Sequence, residues 1–167
     1  MGEVEKTLIL FKPDALQRGA VGEILTRFER VGLKIVGTKM VQPDREHWYK
    51  HYEDIGKMVT RRGEETFNIT LELMLGGPVI AMVLEGVEAV ALVRKLVGAT
   101  EPKSALPGTI RGDFSHMSFG FADSAKKGIP NLIHASGDVS DAEKEIDYWF
   151  SDSELYDYSV LNEKFTR

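Results

Sequence analysis

The chain has 167 residues, which is the size of one domain with a core large enough to fold alone. Its net charge of −5 argues against broad, nonspecific binding to nucleic acid or to a membrane surface, and its lack of cysteine excludes disulfides and thiol chemistry. Since neither a secretory leader nor a run of roughly 20 apolar residues is visible, we expect a cytoplasmic protein with no membrane partner.

The first third of the chain alternates strand and helix patterns. Thr7–Phe11 is a short apolar run typical of a central strand, and Pro13 ends it because proline donates no ladder hydrogen bond. Apolar residues then recur at spacings of three and four over Val21–Val31, which predicts an amphipathic helix that Gly32 ends. Leu33–Val41 is predicted to form the second strand.

A further helix is predicted from Asp44 to about Ile55, and it carries two histidines one turn apart. His47 and His51 have the spacing of a shared metal site. The alternative is a solvated helix face, which we favour because no His-Glu-x-x-His pattern or third ligand accompanies the pair.

The middle of the chain contains an insertion and the most apolar strand. Gly56–Glu65 is polar and is interpreted as an inserted loop. Helical spacing returns from Phe67 to Leu75 and stops at Gly76–Pro78. Val79–Leu84 is then predicted to be the third strand, and Val87–Val97 a third amphipathic helix.

The last third is predicted to begin irregularly, with a second insertion at Ser115–Gly128. A short strand through Leu132 and Ile133 follows, and the Ser-x-x-Glu capping box at Ser140–Glu143 predicts a helix. The apolar tail from Ser151 is expected to dock on its own subunit or on a neighbour. The intermixed short strands and helices favour one α+β domain over residues 1–167, a four-stranded sheet with helices on one face.

His134 stands at the end of the fourth predicted strand, and the residues after it, Ala135, Ser136 and Gly137, are too small to bury its ring. A neutral imidazole in open space is a good nucleophile or proton carrier. Glu145, in the first turns of the next helix, is close enough in sequence to orient it. The alternative is an ordinary strand-end histidine bonded to a loop carbonyl.

Three cations occur where a solvated face does not require them. Lys12 follows the first strand, Arg94 lies near a helix end, and Arg111 lies in a loop bounded by proline and glycine. Arginine suits bidentate phosphate contacts and lysine supplies a point charge, although each cation alone also suits a helix end or turn. The glycine-rich phosphate motifs and the protein-kinase motifs are missing, so the residues alone indicate an anion-binding domain with a presented histidine.

Several blocks, in this order along nearly the whole chain, resemble the nucleoside diphosphate kinase family. They are Phe11–Asp14, His51–Tyr52, Gly77–Val79, Leu84–Gly86, Pro107–Phe114, Asn131–Ser136, Ala142–Ile146 and Trp149–Phe150. The resemblance implies a ferredoxin-like sandwich with an antiparallel sheet. It also implies a ping-pong reaction that moves the γ-phosphoryl group of a nucleoside triphosphate, mainly ATP, to a nucleoside diphosphate.

The resemblance assigns a role to each matching residue. His134 matches the phosphoryl carrier, Glu145 matches the residue that bonds the far ring nitrogen, and Ser136 matches one that helps hold the site. Lys12 matches a contact to phosphate and ribose hydroxyl oxygens, and Tyr52 matches a residue that lines the site. The phosphate contacts of the family match Arg94, Thr100 and Arg111 in this chain, and its ribose contact matches Asn131.

The resemblance further implies Mg²⁺ held mainly by the nucleotide phosphates, and a homo-oligomer that is a hexamer or, less often, a tetramer. For the aromatic ring that stacks on the base, Phe67 is the candidate, with a core position as its alternative. This chain departs from the common pattern at the two insertions and at Gly137–Asp138, where we expect an altered rim. The competing hypotheses are a domain that binds nucleotide or RNA without chemistry, which the acidic charge disfavours for RNA, and an inactive scaffold of the same fold.

Overall fold

A four-stranded antiparallel sheet forms the centre of the fold, as predicted. The structure, a computed structural model, describes residues 2–167. The strands are β1 (Val4–Phe11), β2 (Lys34–Val41), β3 (Val79–Val87) and β4 (Ile133–Ala135), in the spatial order β2-β3-β1-β4. Leu10 of β1 pairs with His134 of β4, so the central strand positions the histidine directly.

The helices within the described residues are α1 (Pro13–Gln17), α2 (Val21–Arg30), α3 (Arg45–Tyr49), α4 (Met58–Arg62), α5 (Glu64–Leu75), α6 (Ala89–Val97), α7 (Ile110–Phe114), α8 (Phe119–Ala125), α9 (Val139–Trp149) and α10 (Glu163–Thr166). A π-helical turn, Lys50–Ile55, extends α3, so the helix predicted from Asp44 reaches its expected end. The predicted helices begin within three residues of the observed ones, and the largest difference is Phe67 predicted against Glu64 observed.

Helices cover both faces of the sheet, so the prediction that they occupy one face is wrong. Ile9 and Phe11 pack in a core with α2 and α6, whereas Leu8 and Leu10 pack on the other side with α3, α5 and α9. Side chains alternate between faces along a strand, so the uninterrupted apolar run of β1 requires cover on both.

Both inserted segments contain helices, which corrects the prediction of a polar loop at Gly56–Glu65. That stretch forms α4 and the start of α5, and the second insertion contains α8, whose first turn is capped by the Ser118 hydroxyl. The helix after His134 is capped by Asp138, which accepts the Asp141 N–H at 2.8 Å, and not by the predicted Ser140. Local polarity did not distinguish these short exposed helices from loops.

The C-terminal tail docks on its own chain. The Tyr156 N–H donates to the Val36 carbonyl at 2.8 Å, and the Tyr158 hydroxyl donates to the Ile35 carbonyl at 2.6 Å, so the tail runs along β2. Leu161 and Phe165 nevertheless stay exposed. None of the described helices has the length and apolar character needed to cross a membrane.

Candidate active site

The backbone before His134 is held in an unusual conformation. Leu132 is fully buried and has φ 68°, in the left-handed region that leucine avoids. Its N–H donates to Asp14 Oδ2 at 3.0 Å and its carbonyl accepts the Lys12 N–H at 2.9 Å. Such strain costs about 1–3 kcal/mol and persists where the surroundings impose it. Asp14 therefore helps to shape the strand that presents His134, a role that sequence reasoning missed.

His134 is oriented by a carboxylate and a hydroxyl. Its Nε2 lies 2.9 Å from Glu145 Oε1, and Ser136 Oγ donates to Glu145 Oε2 at 2.7 Å. Burial favours the neutral acid, but the charge and hydrogen bond of His134 outweigh it and hold the pKa of Glu145 below its usual range. Since a carboxylate only accepts, Nε2 of His134 carries a proton, and in the neutral ring this tautomer leaves the Nδ1 lone pair free.

Lys12 and Asn131 form a second polar pair, deeper in the fold. Lys12 Nζ donates to Asn131 Oδ1 at 2.8 Å, and Asn131 Nδ2 donates to the Thr100 carbonyl at 2.8 Å. Burial lowers the pKa of Lys12 to about 8, against a raising effect of Asp14 and a further lowering by Arg111. An ammonium group with so little solvation gains by contact with an anion.

Arg111 is buried and fixed by backbone carbonyls. Its Nη2 donates to the Ile133 carbonyl at 2.6 Å, and its Nη1 donates to the Gly98 carbonyl at 3.2 Å. Burial and the nearby charge of Arg94 lower its pKa to about 10, which keeps it charged at neutral pH. Arg94 donates to the Ser136 carbonyl at 3.5 Å, so it is held more loosely.

His51 is buried, which contradicts the predicted solvated face. Only 1% of the residue is exposed, and its Nδ1 accepts the Trp149 indole N–H at 3.1 Å. Its ring lies edge-on to His134 with 4.7 Å between centroids, and the Tyr52 ring lies 6.5 Å from His134. Since α9 supplies Trp149 from 98 residues away in the sequence, the local pattern around His51 could not predict that this histidine is buried. Burial also raises the pKa of Tyr52 and keeps its hydroxyl protonated.

These side chains meet in a cleft of about 500 Å³. The predicted residues that line it are Lys12, Tyr52, Arg94, Thr100, Arg111, Asn131, His134 and Glu145. Ser136 does not line the cleft itself, but it donates a hydrogen bond to Glu145, which does. Helices α4 and α8, from the two inserted segments, and the neighbouring helix α5 supply much of the remaining wall.

Phe67 does not line the cleft, which corrects its assignment as the base-stacking ring. It is 4% exposed and packs in the core against the Tyr49 ring, as its alternative predicted. On the described cleft wall, Phe119 of α8 is the aromatic ring outside the buried cluster around His134. The guanidinium carbon Cζ of Arg62 lies 5.3 Å from the centroid of the Phe119 ring. Phe119 was missed in the sequence because it lies in the second insertion, which the family resemblance does not cover.

Three comparisons place this arrangement among known proteins. The family model described as nucleoside diphosphate kinase matches residues 5–155. A nucleoside diphosphate kinase of Borreliella burgdorferi is 47% identical over 157 residues, 93% of this chain and 92% of that protein.

Two solved structures are similar to this fold. That of a Borrelia burgdorferi nucleoside-diphosphate kinase, described as a transition-state mimic with bound vanadate and ADP, has a TM-score of 0.94, 45% identity and coverage of 98% of this chain and 96% of that one. A halophilic enzyme from Halobacterium salinarum in complex with CDP has a TM-score of 0.82, 38% identity and 98% coverage of both chains. The chain therefore belongs to the nucleoside diphosphate kinase family.

Proposed function

We propose that this nucleoside diphosphate kinase carries the phosphoryl group on Nδ1 of His134. The observation that supports this most directly is the hydrogen bond between His134 Nε2 and Glu145 at the wall of the cleft, because the neutral ring then carries its proton on Nε2 and has a free lone pair on Nδ1. In the first half-reaction the Nδ1 lone pair forms a bond to the γ-phosphorus of a nucleoside triphosphate. The bond to the bridging oxygen breaks, and the nucleoside diphosphate leaves with that electron pair.

The cations stabilise the negative charge of the phosphate oxygens during this step. Phosphoryl transfer depends mainly on positioning and on electrostatic stabilisation of the phosphate oxygens. Lys12, Arg94 and Arg111 line the same cleft as His134, so bound phosphates lie among three positive groups. Glu145 stabilises the positive charge that the imidazole gains when Nδ1 bonds to phosphorus. The second half-reaction reverses these steps with another nucleoside diphosphate.

Mg²⁺ fits this site as a companion of the nucleotide and not as a resident ion. Both oxygens of Glu145 already accept hydrogen bonds, from His134 and Ser136, so this carboxylate has little capacity for a metal. Mg²⁺ commonly keeps several waters and binds through substrate phosphates. When bound there, it would neutralise part of the phosphate charge.

Phe119 replaces Phe67 as the ring that we propose stacks on the nucleobase. Its backbone N–H donates to Glu101 Oε1 at 2.8 Å, which ties α8 to the residue after Thr100. Stacking reads no Watson–Crick edge, so it supports use of both purine and pyrimidine nucleotides. Assembly as a hexamer or tetramer stays a prediction of the family resemblance, and location in the cytoplasm stays a prediction of the sequence.

The test is incubation of the purified protein with γ-labelled ATP and Mg²⁺. Acid-labile, base-stable label is expected on the wild type and on His116→Ala, because His116 is an exposed histidine outside the cleft wall. His134→Ala should take no label, and added GDP should discharge the wild type. An unlabelled wild type, or equal label on His134→Ala, would refute the carrier and favour a nucleotide-binding scaffold.

A further inference from the structure

His51 is a buried histidine whose tautomer is determined by its partner. The Trp149 indole N–H lies 3.1 Å from His51 Nδ1. An indole nitrogen donates and does not accept, so Nδ1 of His51 carries no proton and the neutral ring holds its proton on Nε2. Burial and the neighbouring His134 lower the pKa of His51 to about 3, which keeps the ring neutral at physiological pH.

The remaining nitrogen of His51 is a donor without a partner. Among the described residues, His51 Nε2 makes no hydrogen bond, and it is not one of the unpartnered atoms sealed inside the protein. His51 lines the cleft beside His134, although only 1% of the residue is exposed. The small part of this side chain that meets the cleft therefore includes an N–H next to the nucleophile.

This donor suits an anion better than a metal ion. Nitrogen and oxygen atoms of His51, His134 and Glu145 lie within 4.8 Å of one another, a spacing that a divalent cation also fits. Trp149 already donates to His51, however, and His134 and Ser136 already donate to the two oxygens of Glu145, so of these three residues only His134 keeps a nitrogen lone pair free, on the Nδ1 that bonds to phosphorus. What is left on His51 is the Nε2–H group, which donates to an oxygen and cannot bind a metal ion.

We propose that His51 Nε2–H donates a hydrogen bond to an oxygen of the phosphoryl group that His134 accepts. The inference rests on the proposed function, because it needs a phosphoryl group at His134 Nδ1. His51 keeps its proton throughout the transfer. As a neutral donor, it stabilises the equatorial oxygens without adding a further cation to a site that must also release the group.

One helix then orients both histidines. Glu145 and Trp149 are four residues apart on α9 and so lie on the same face. Glu145 sets the proton of His134 on Nε2, and Trp149 sets the proton of His51 on Nε2. The other titratable groups around His51 are His47 on α3 and Tyr52 on its own turn, and burial favours the neutral form of both.

The chain offers a matched pair of tryptophans for the experiment. Trp48 is fully buried in the same aromatic cluster, with its ring centroid 5.4 Å from that of Trp149, but its indole nitrogen has no hydrogen-bond partner among the described residues. Trp149→Phe and Trp48→Phe therefore remove similar volumes, and only Trp149→Phe releases His51 Nδ1. We would record ¹⁵N-detected histidine resonances before and after phosphorylation by ATP and Mg²⁺, together with single-turnover labelling rates.

In the wild type, His51 should show an unprotonated Nδ1 and a protonated Nε2 whose N–H resonance moves on phosphorylation. Trp149→Phe should label about fivefold more slowly than Trp48→Phe. His51→Gln keeps an amide donor near the position of Nε2, so it should label at least about tenfold faster than His51→Leu. A tenfold difference in rate corresponds to about 1.4 kcal/mol.

An Nε2–H resonance that phosphorylation leaves unmoved would overturn the proposal. Equal rates for the two tryptophan variants, or for the two His51 variants, would do the same. A wild type that takes no label would refute the proposed function and this inference together, whereas a labelled wild type with any of the other results refutes only the role of His51.

Discussion

Replacing Glu145 by glutamine tests the central contact of the site at nearly constant shape. The carboxylate accepts from His134 Nε2 at 2.9 Å and from Ser136 Oγ at 2.7 Å, whereas an amide has only one acceptor oxygen. If the amide oxygen faces His134, its NH₂ faces Ser136 Oγ, which must then donate to the Leu8 carbonyl at 3.4 Å. If the NH₂ faces His134, the imidazole proton moves to Nδ1 and blocks attack.

The magnitude follows from the charge that is lost. A hydrogen bond to a charged group contributes about 1.5–3 kcal/mol, against about 0.5–1.5 kcal/mol for a neutral one. The imidazole also becomes positive as Nδ1 bonds to phosphorus, so the carboxylate stabilises the transition state more than the free enzyme. We therefore expect Glu145→Gln to slow phosphorylation by about 10- to 100-fold, at about 1.36 kcal/mol for each factor of ten.

Rapid-quench, single-turnover labelling with γ-labelled ATP measures this rate. Glu143→Gln is the matched control, because Glu143 lies on the same helix but is exposed, and its rate should equal that of the wild type. A Glu145→Gln rate within twofold of that control would refute the reasoning that Glu145 sets the proton of His134.

Two further predictions concern the nucleotide pocket. Because burial lowers the pKa of Lys12 from 10.5 to about 8, the unfolded chain binds more protons than the native one between these pH values, so the contribution of Lys12 to the unfolding free energy rises with pH there. In nucleotide-free urea titrations from pH 7 to 10.5, the free energy of unfolding of the wild type should rise by up to about 3 kcal/mol more than that of Lys12→Met. Parallel curves for the two proteins would contradict the lowered pKa. Phe119→Ala should raise the KM for ATP about tenfold, because base stacking on an aromatic ring contributes about 1–3 kcal/mol. Phe121→Ala removes an exposed ring of the same helix and should match the wild type, so equal KM values for the two variants would count against stacking on Phe119.

Local sequence patterns were sufficient for the sheet and for the presentation of His134. Apolar runs and their breaks reflect which backbone is buried, so β1, β2 and β3 were found near their observed bounds. The small residues after His134 left space around its ring, and the structure places that ring at the cleft wall. The inserted helices α4 and α8 were missed because short exposed helices carry little apolar periodicity.

The sequence by itself determined the strands, the order of the elements and the set of polar groups available for phosphate chemistry. Only the tertiary structure decided that His51 is buried, that Phe119 and not Phe67 lines the cleft, and that Asp14 holds the strained Leu132. The physical reason is the range of the contacts. The bond from Trp149 to His51 joins residues 98 apart and that from Leu132 to Asp14 joins residues 118 apart, so both exist only once the sheet has brought distant segments together.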